Sequence, residues 1–336
     1  MPMKRLLYAG IDLGGTNIQI GVVDLSKPAS PEIVGRSKKK TLADQGMEKV
    51  LGRLIDGVRT ACAQAGVEVA DLEGLGIGAP SPVNPANGIV LEAVNLRWND
   101  VPLADLLSER LTEGAGEGRG AKIPVVVDND VNVAVYGEWR CGAGKGVSDL
   151  LGIWLGTGVG GGLIINDALY HGSQFTAGEI GHITLFPGAP VGLRSFEQCC
   201  SRTAVARRLE ALVRSNHKSS LTEISGGKLH AIKSKMIAKA YSDGDKLTRA
   251  VVDDVAHLVG VAAASTVTLL GLPRVILGGG LTEAMGETFV EKVRQSTRAN
   301  VFPARLRGVE VEASKLMDDA GVVGSALLAM ERGAKK

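Results

Sequence analysis

The chain carries the same strand–turn–strand pattern twice. Near its start, Leu6 to Ile11 reads as a strand, Asp12-Leu13-Gly14-Gly15-Thr16-Asn17 as a turn, and Ile18, Ile20 and Val22 alternate along a second strand. Far downstream, Leu150 to Leu155 leads into Gly156-Thr157-Gly158-Val159-Gly160-Gly161-Gly162 and then Leu163-Ile164-Ile165. Around these hairpins the apolar period becomes helical. Met47, Val50, Leu51, Leu54, Ile55, Val58, Ala61, Cys62 and Ala65 share one face, and Gly66 is placed to end that helix. Ser201 is a suitable N-cap for a helix whose apolar face is Ala204, Val205, Leu209 and Leu212. Further helices are expected over about 247–270 and 319–332, and short buried strands at Leu75 to Gly78, Pro124 to Asp128 and Val275 to Leu277.

Strands that alternate with helices argue for an α/β fold. The repeated hairpin suggests two related halves facing a central cleft. The expected N-terminal domain spans 1–130 and the larger C-terminal one 131–318, with the last helix, 319–336, joining the first. A length of 336 residues suits two domains with ample core. Gly is abundant, at 45 residues, and aromatics make up only 4%, so tight turns and a core of Val, Ile, Leu and Ala are expected.

Charge and cysteine usage exclude several roles. A net charge of +2 gives no general attraction for nucleic acid or an anionic membrane. The dense basic run Lys38-Lys39-Lys40 reads as a solvated loop. Cys62, Cys141, Cys199 and Cys200 show neither a CxxC pair nor disulfide spacing, which fits a reducing compartment. No signal-peptide pattern and no stretch of bilayer-spanning length is read, so a cytoplasmic location is expected.

The glycine turns suggest the chemistry. Backbone recognition of phosphate needs N–H groups aimed into a concavity with no Cβ in the way. Gly14, Gly15, Thr16 and Asn17 form one such cradle, and Gly156, Thr157 and Gly158 a second. Asp12, which precedes the first turn, is suited to hold Mg²⁺ through water. A plain hairpin turn is the alternative for each. No G-x-x-x-x-G-K-[ST] loop is present, and a strand rather than a helix follows Gly156-Thr157-Gly158-Val159-Gly160-Gly161, which disfavours a dinucleotide site. Phosphoryl transfer to an alcohol also needs a base. Asp128 and Asp130, after the apolar run Val125-Val126-Val127, are the candidates, and either is also able to cap a turn or helix. Asn129 between them offers both a donor and an acceptor for hydroxyls. Glu179 and His182 stand three apart in a Gly-bounded segment.

Taken in order, Asp12-Leu13-Gly14-Gly15-Thr16-Asn17, Asp128-Asn129-Asp130-Val131-Asn132, Leu155 to Gly162, Gly178-Glu179-Ile180-Gly181-His182 and Leu277-Gly278-Gly279-Gly280 resemble the ROK family (repressor, open reading frame, kinase). The segment Asn95-Leu96-Arg97-Trp98-Asn99-Asp100-Val101-Pro102-Leu103 is similar to its glucokinase branch. The resemblance covers nearly the whole chain. It implies two ribonuclease-H-like domains of the actin and hexokinase type that close over ATP and a hexose, and an enzyme that acts most readily on glucose. It implies Asp130 as the general base. Asn95, Asn129, Asp130, Glu179, His182 and Glu197 would meet the sugar, Gly278, Gly279 and Gly280 would lie along the adenosine, and the active form would be a homodimer.

The pattern also breaks. Many members bind zinc through this histidine and three cysteines, yet no cysteine lies between His182 and Glu197, and Ser195 stands where the last would be. No zinc is therefore expected. Ser81-Pro82 and Gln19 are smaller departures. A sugar-responsive repressor is the competing function, disfavoured because Asp12 arrives too early for a DNA-binding domain ahead of it and the charge is nearly neutral. A non-catalytic sugar sensor is a third, set against the joint presence of Asp12, Asn129, Asp130, Glu179 and His182. Residue logic does not separate glucose from fructose, N-acetylglucosamine or N-acetylmannosamine, or ATP from polyphosphate.

Overall fold

The computed structural model describes residues 5–80, 82–113 and 122–333. Ser81, most of the Gly- and charge-rich stretch before Pro124, and the last three residues of the expected terminal helix lie outside them.

The chain divides into two compact units, Met1–Gly146 with His171–Ala177 and Asp318–Lys336, and Val147–Tyr170 with Gly178–Met317. The first opens with an antiparallel meander, β1 (Leu7–Leu13), β2 (Asn17–Asp24) and β3 (Glu32–Lys40). Helix α1 (Met47–Ala65) follows, stopped by Gly66 at φ 70, and leads to β4 (Gly74–Ala79). A small sheet of β5 (Val83–Asn84), β6 (Ile89–Ala93) and β7 (Trp98–Val101) comes next, then α2 (Leu103–Glu113), β8 (Val125–Asn129) and α3 (Asp130–Cys141). The main sheet runs β3-β2-β1-β4-β8, with β1, β4 and β8 parallel.

The second unit repeats this plan. Strands β9 (Leu150–Leu155), β10 (Val159–Ile165) and β11 (Ala168–Leu169) are antiparallel. Helices α4 (Phe196–Cys200), α5 (Arg202–Arg214), α6 (Leu221–Ile224), α7 (Ser234–Ser242) and α8 (Lys246–Leu270) precede β12 (Arg274–Gly278), and α9 (Gly280–Met285) and α10 (Glu287–Asn300) precede β13 (Glu310–Ala313). The sheet order is β11-β10-β9-β12-β13, with β9, β12 and β13 parallel. Each unit buries its own apolar cluster. Helix α11 (Ala320–Gly333) returns to the first unit and lies backbone-close on its sheet. A Cβ on Gly76 of β4 would stand 1.9 Å from the Ser325 carbonyl oxygen, so glycine there is a packing requirement.

Several expectations need correction. The boundary does not fall near residue 130. Helix α3 belongs to the first unit, where its Val133 carbonyl lies 1.8 Å from where a Cβ on Gly324 of α11 would sit. The glycine on α11 lets the two helix backbones meet, a contact that strand and helix periods do not announce. Lys38–Lys40 form the end of β3 rather than a loop, paired in register with Asn17–Gln19. Both turns are shorter than read, because Asp12, Leu13 and Asn17 are strand residues, as are Val159–Gly162. Finally, α8 is long and apolar enough to cross a membrane by length and composition, the one such helix among the described residues. Val251, Val252, Val255, Val259 and Val267 of that helix are buried in the core of the second unit.

Candidate active site

In the first unit the candidate residues collect at the carboxyl ends of the parallel strands, where α/β sheets commonly bind ligands. Asp12 of β1 is level with Gly78 of β4, and Gly78 with Asp128 of β8. The turn at 14–16 closes through Gly14 N–H to the Asn17 carbonyl at 3.0 Å, and is braced from outside by the Thr41 hydroxyl, which donates to the Gly14 carbonyl at 2.6 Å. The N–H groups of Gly15 and Thr16 form no hydrogen bond among the described residues, which leaves donors for an anion. Asn95 packs on Gly15, its Cβ 3.3 Å from where a Cβ on that glycine would sit. Burial pushes the Asp12 carboxyl up to about 6, Asp318 adds to the rise and Lys38 opposes it. A carboxylate held this far from its preferred charge state is suited to a divalent cation, which would relieve both burial and the neighbouring acid. Among the described residues no three His, Cys, Asp or Glu side chains cluster around a common point.

The step from β8 into α3 sets Asn129 and Asp130. Asn129 is the N-cap, and its Oδ1 accepts from Val131 N–H at 2.9 Å and Asn132 N–H at 3.0 Å. The side-chain oxygen is therefore committed to the start of α3. Asp130 is the first helical residue, its Oδ1 2.8 Å from Val131 N–H. Asp128, the rival base, is spent elsewhere. Its carboxylate is 1% exposed and accepts from Asn129 N–H, Asn132 Nδ2 and His171, with Arg332 Nη2 at 3.1 Å. Burial opposes its charge, but His171, Arg332 and Asn132 outweigh burial and hold the carboxyl below its usual range.

In the second unit, the turn at 156–158 closes through Gly156 N–H to the Gly158 carbonyl at 3.0 Å. Glu197, in the first turn of α4, accepts from Val159 N–H at 2.9 Å. A Cβ on Gly158 would lie 2.2 Å from Glu197 Oε2, so the glycine admits the carboxylate. Arg202 joins from α5: its N–H bonds the Gly156 carbonyl at 3.0 Å and its guanidinium donates to Thr157 Oγ1 at 3.2 Å. Gly278 and Gly279 turn from β12 into α9 beside the same strand end, Gly279 so close that a Cβ would sit 2.7 Å from Leu155 N. Glu179 and His182 flank the Ile180–His182 turn with Glu179 Oε2 3.9 Å from His182 Nε2, and His182 is 73% exposed. Burial raises the Glu179 carboxyl, His182 lowers it, and Glu197 raises it again. Ser195 caps α4, accepting from Gln198 N–H at 3.3 Å. Cys200 is buried, and burial pushes its thiol far up, away from the thiolate that zinc prefers.

Sequence reading brought forward Asp12, both turns, Asn95, Asn129, Asp130, Glu179, His182, Glu197 and Gly278–Gly280. It missed Thr41, His171, Arg202 and Arg332, which touch these residues from distant segments. An arginine that opens a Ser-capped helix was the one local signal, since a cation there runs against the helix dipole.

The ROK family model matches residues 8–332, and the chain belongs to that family. A glucokinase of Halalkalibacterium halodurans is 33% identical over 335 residues, which is 98% of this chain and 97% of that protein. The crystal structure of a ROK family glucokinase from Streptomyces griseus, in complex with glucose and AMPPNP, superposes with a TM-score of 0.82 at 31% identity, covering 97% of this chain and 99% of that one. A xylose repressor of Caldicellulosiruptor bescii is 29% identical, covering 94% of this chain but 76% of the repressor. The fold is therefore that of the ROK hexokinases, of the actin type.

Proposed function

We propose that this chain is an ATP-dependent sugar kinase that works in the cytoplasm and transfers the γ-phosphate to a hexose hydroxyl, with glucose the leading substrate. One observation carries the reading. The two glycine turns occupy the same place in two sheets of the same order, each following the first strand of its unit. Two matched anion cradles suit a polyphosphate tail better than a single one. Relatives at about this distance carry the name glucokinase, one with glucose and an ATP analogue bound.

In this reading Asn129 and Asp130 meet the acceptor hydroxyl, with Asn95, Glu179, His182 and Glu197 on the remaining hydroxyls. The Asp130 carboxylate takes the hydroxyl proton as the oxygen attacks the γ-phosphorus and the bond to ADP breaks. Gly15, Thr16 and Thr157 donate to phosphate oxygens, and Gly278–Gly280 run along the adenosine. Asp12 would hold Mg²⁺, which supplies neutralisation of phosphate charge when bound. The Asn129 cap keeps Asp130 at a rigid helix start, so little reorganisation is needed. By resemblance, the working form is a homodimer.

The test is ADP release over a panel of glucose, fructose, N-acetylglucosamine and N-acetylmannosamine, with ATP and polyphosphate as donors. Glucose with ATP should give the highest kcat/KM. Asp130→Asn should keep glucose binding and lose about a thousandfold in kcat, in the range of general-base effects. Turnover near that of the wild type would remove Asp130 from the role of base.

A further inference from the structure

We propose that Asp128, His171 and Arg332 form a positioning hub that sets both the Asn129–Asp130 turn and the start of the segment leading to Glu179. The proposal rests on the kinase reading above and deepens it.

The hub is built from three distant parts of the first unit. Asp128 is the penultimate residue of β8 and is 1% exposed. His171 Nε2 lies 3.1 Å from its Oδ1 and 2.9 Å from its Oδ2. Arg332 Nη2, in the last turn of α11, stands 3.1 Å from Oδ2. A charge taken out of water is costly unless paired and hydrogen-bonded, and removing a partner leaves it uncompensated. Capping a helix does not demand such a charge, because Asn129 already caps α3. A packing-driven interior would also not leave two polar atoms beside it, Arg332 Nη1 and Asn132 Oδ1, buried without partners among the described residues.

Its placement says what the carboxylate does. Asp128 Oδ1 accepts from the Asn129 N–H at 2.9 Å and from Asn132 Nδ2 at 3.1 Å. It thus holds the peptide that joins Asp128 to Asn129, one residue ahead of Asp130, and the helix turn that follows. Any rotation of that peptide re-aims Asp130. The same carboxylate grips His171, where the segment His171–Ala177 begins. That segment folds back on itself, Ala177 N–H bonding the His171 carbonyl at 3.1 Å, and passes through Gly178 at φ +94 directly into Glu179. One buried charge therefore fixes the base turn and the lead-in to the sugar-reading segment. His171 and Arg332 act through Asp128 and need no contact with substrate.

Steady-state kinetics and thermal melting of the full chain test this, with Asp130→Asn as the control for chemistry. His171→Ala should lower kcat about a hundredfold, the scale of a small misplacement of a reacting group, and raise the KM for glucose while leaving the KM for ATP unchanged. His171→Gln, whose Nε2 can donate where the histidine Nε2 does, should recover most of kcat. A merely structural role would lower the melting temperature without this split and without rescue. Should His171→Ala fail to fold, Arg332→Gln, at a partly exposed helix end, decides: about tenfold lower kcat at unchanged ATP KM supports the hub, and unchanged kcat overturns it. If His171→Ala keeps kcat and glucose KM within about twofold of the wild type while Asp130→Asn is inactive, the hub is wrong and the kinase reading stands. A wild-type chain that phosphorylates no sugar sinks the kinase reading and the hub with it.

Discussion

The two glycine turns share a fold position and differ in what braces them. The turn at 14–16 is held by a neutral group, the Thr41 hydroxyl, and has a partly buried acid, Asp12, beside it. The turn at 156–158 is held by two ionic side chains, Glu197 on the Val159 N–H and Arg202 on Thr157. Similar letters thus produce cradles braced by different charges, an acid beside the first and an acid with an arginine at the second. The first is suited to a cation-bridged phosphate, the second to direct contact between phosphate and guanidinium. A duplicated hairpin supplies the donors; strand β1 carries the acid beside the first turn, and helices α4 and α5 bring the charges to the second.

The sharpest way to break this contrast is to fill each turn. Gly158→Ala would drive a Cβ to 2.2 Å from Glu197 Oε2, whereas at Gly14 the nearest atom, the Asn17 carbonyl oxygen, is 3.0 Å away. Gly158→Ala should lower kcat/KM for ATP about a hundredfold and Gly14→Ala clearly less, read by initial rates over ATP concentration. The reverse order would overturn the assignment of the tighter cradle.

Next in size is Arg202→Ala. A hydrogen bond to a charged group contributes about 1.5–3 kcal/mol, so the KM for ATP should rise about tenfold or more with the KM for glucose unchanged. Equal changes in both would make Arg202 a structural staple.

A smaller effect separates the acids. Burial, with Asp318 adding, holds the Asp12 carboxyl up at about 6 in the folded chain, against an ordinary value of 3.8. Its ionisation therefore opposes folding. The penalty is absent below the unfolded value, grows as pH rises, and is complete above about 6. Asp12→Asn in magnesium-free buffer should stabilise the chain by on the order of 2 kcal/mol at pH 7.5, after allowance for the carboxyl's partial exposure, and by nothing at pH 3.5. Denaturant melts at the two pH values give the difference, and a gain of equal size at both would exclude the titration as its source. The same substitution should slow phosphorylation, since the residue suited to magnesium is gone.

Smallest is Thr41→Val, which keeps shape and removes the hydroxyl from the Gly14 carbonyl. A loss of about 1 kcal/mol is expected, seen in the midpoint of a urea melt.

Much of this site was legible in the chain itself. Gly-Thr turns between apolar strands, Asn129-Asp130 after a Val run and the Glu179–His182 spacing are local patterns, and local patterns survive in a linear text. On residue chemistry alone Asp128 rivalled Asp130, and the family resemblance was what favoured Asp130. Packing adds a physical difference, by setting one against His171 and Arg332 and the other at the head of α3. No stretch of bilayer-spanning length was read in the chain, yet helix α8 has the length and apolarity of a membrane span. Burial within the second unit is what distinguishes it.

The sequence by itself therefore determined the α/β class, the paired turns and the family, since each is carried by motifs that are local along the chain. The tertiary structure alone decided which unit holds α3, which of two aspartates stays buried and charged, and what electrical character each cradle has. Those outcomes come from contacts between residues scores of positions apart, whose partners are set by glycine-permitted backbone approach and the need to pair a buried charge.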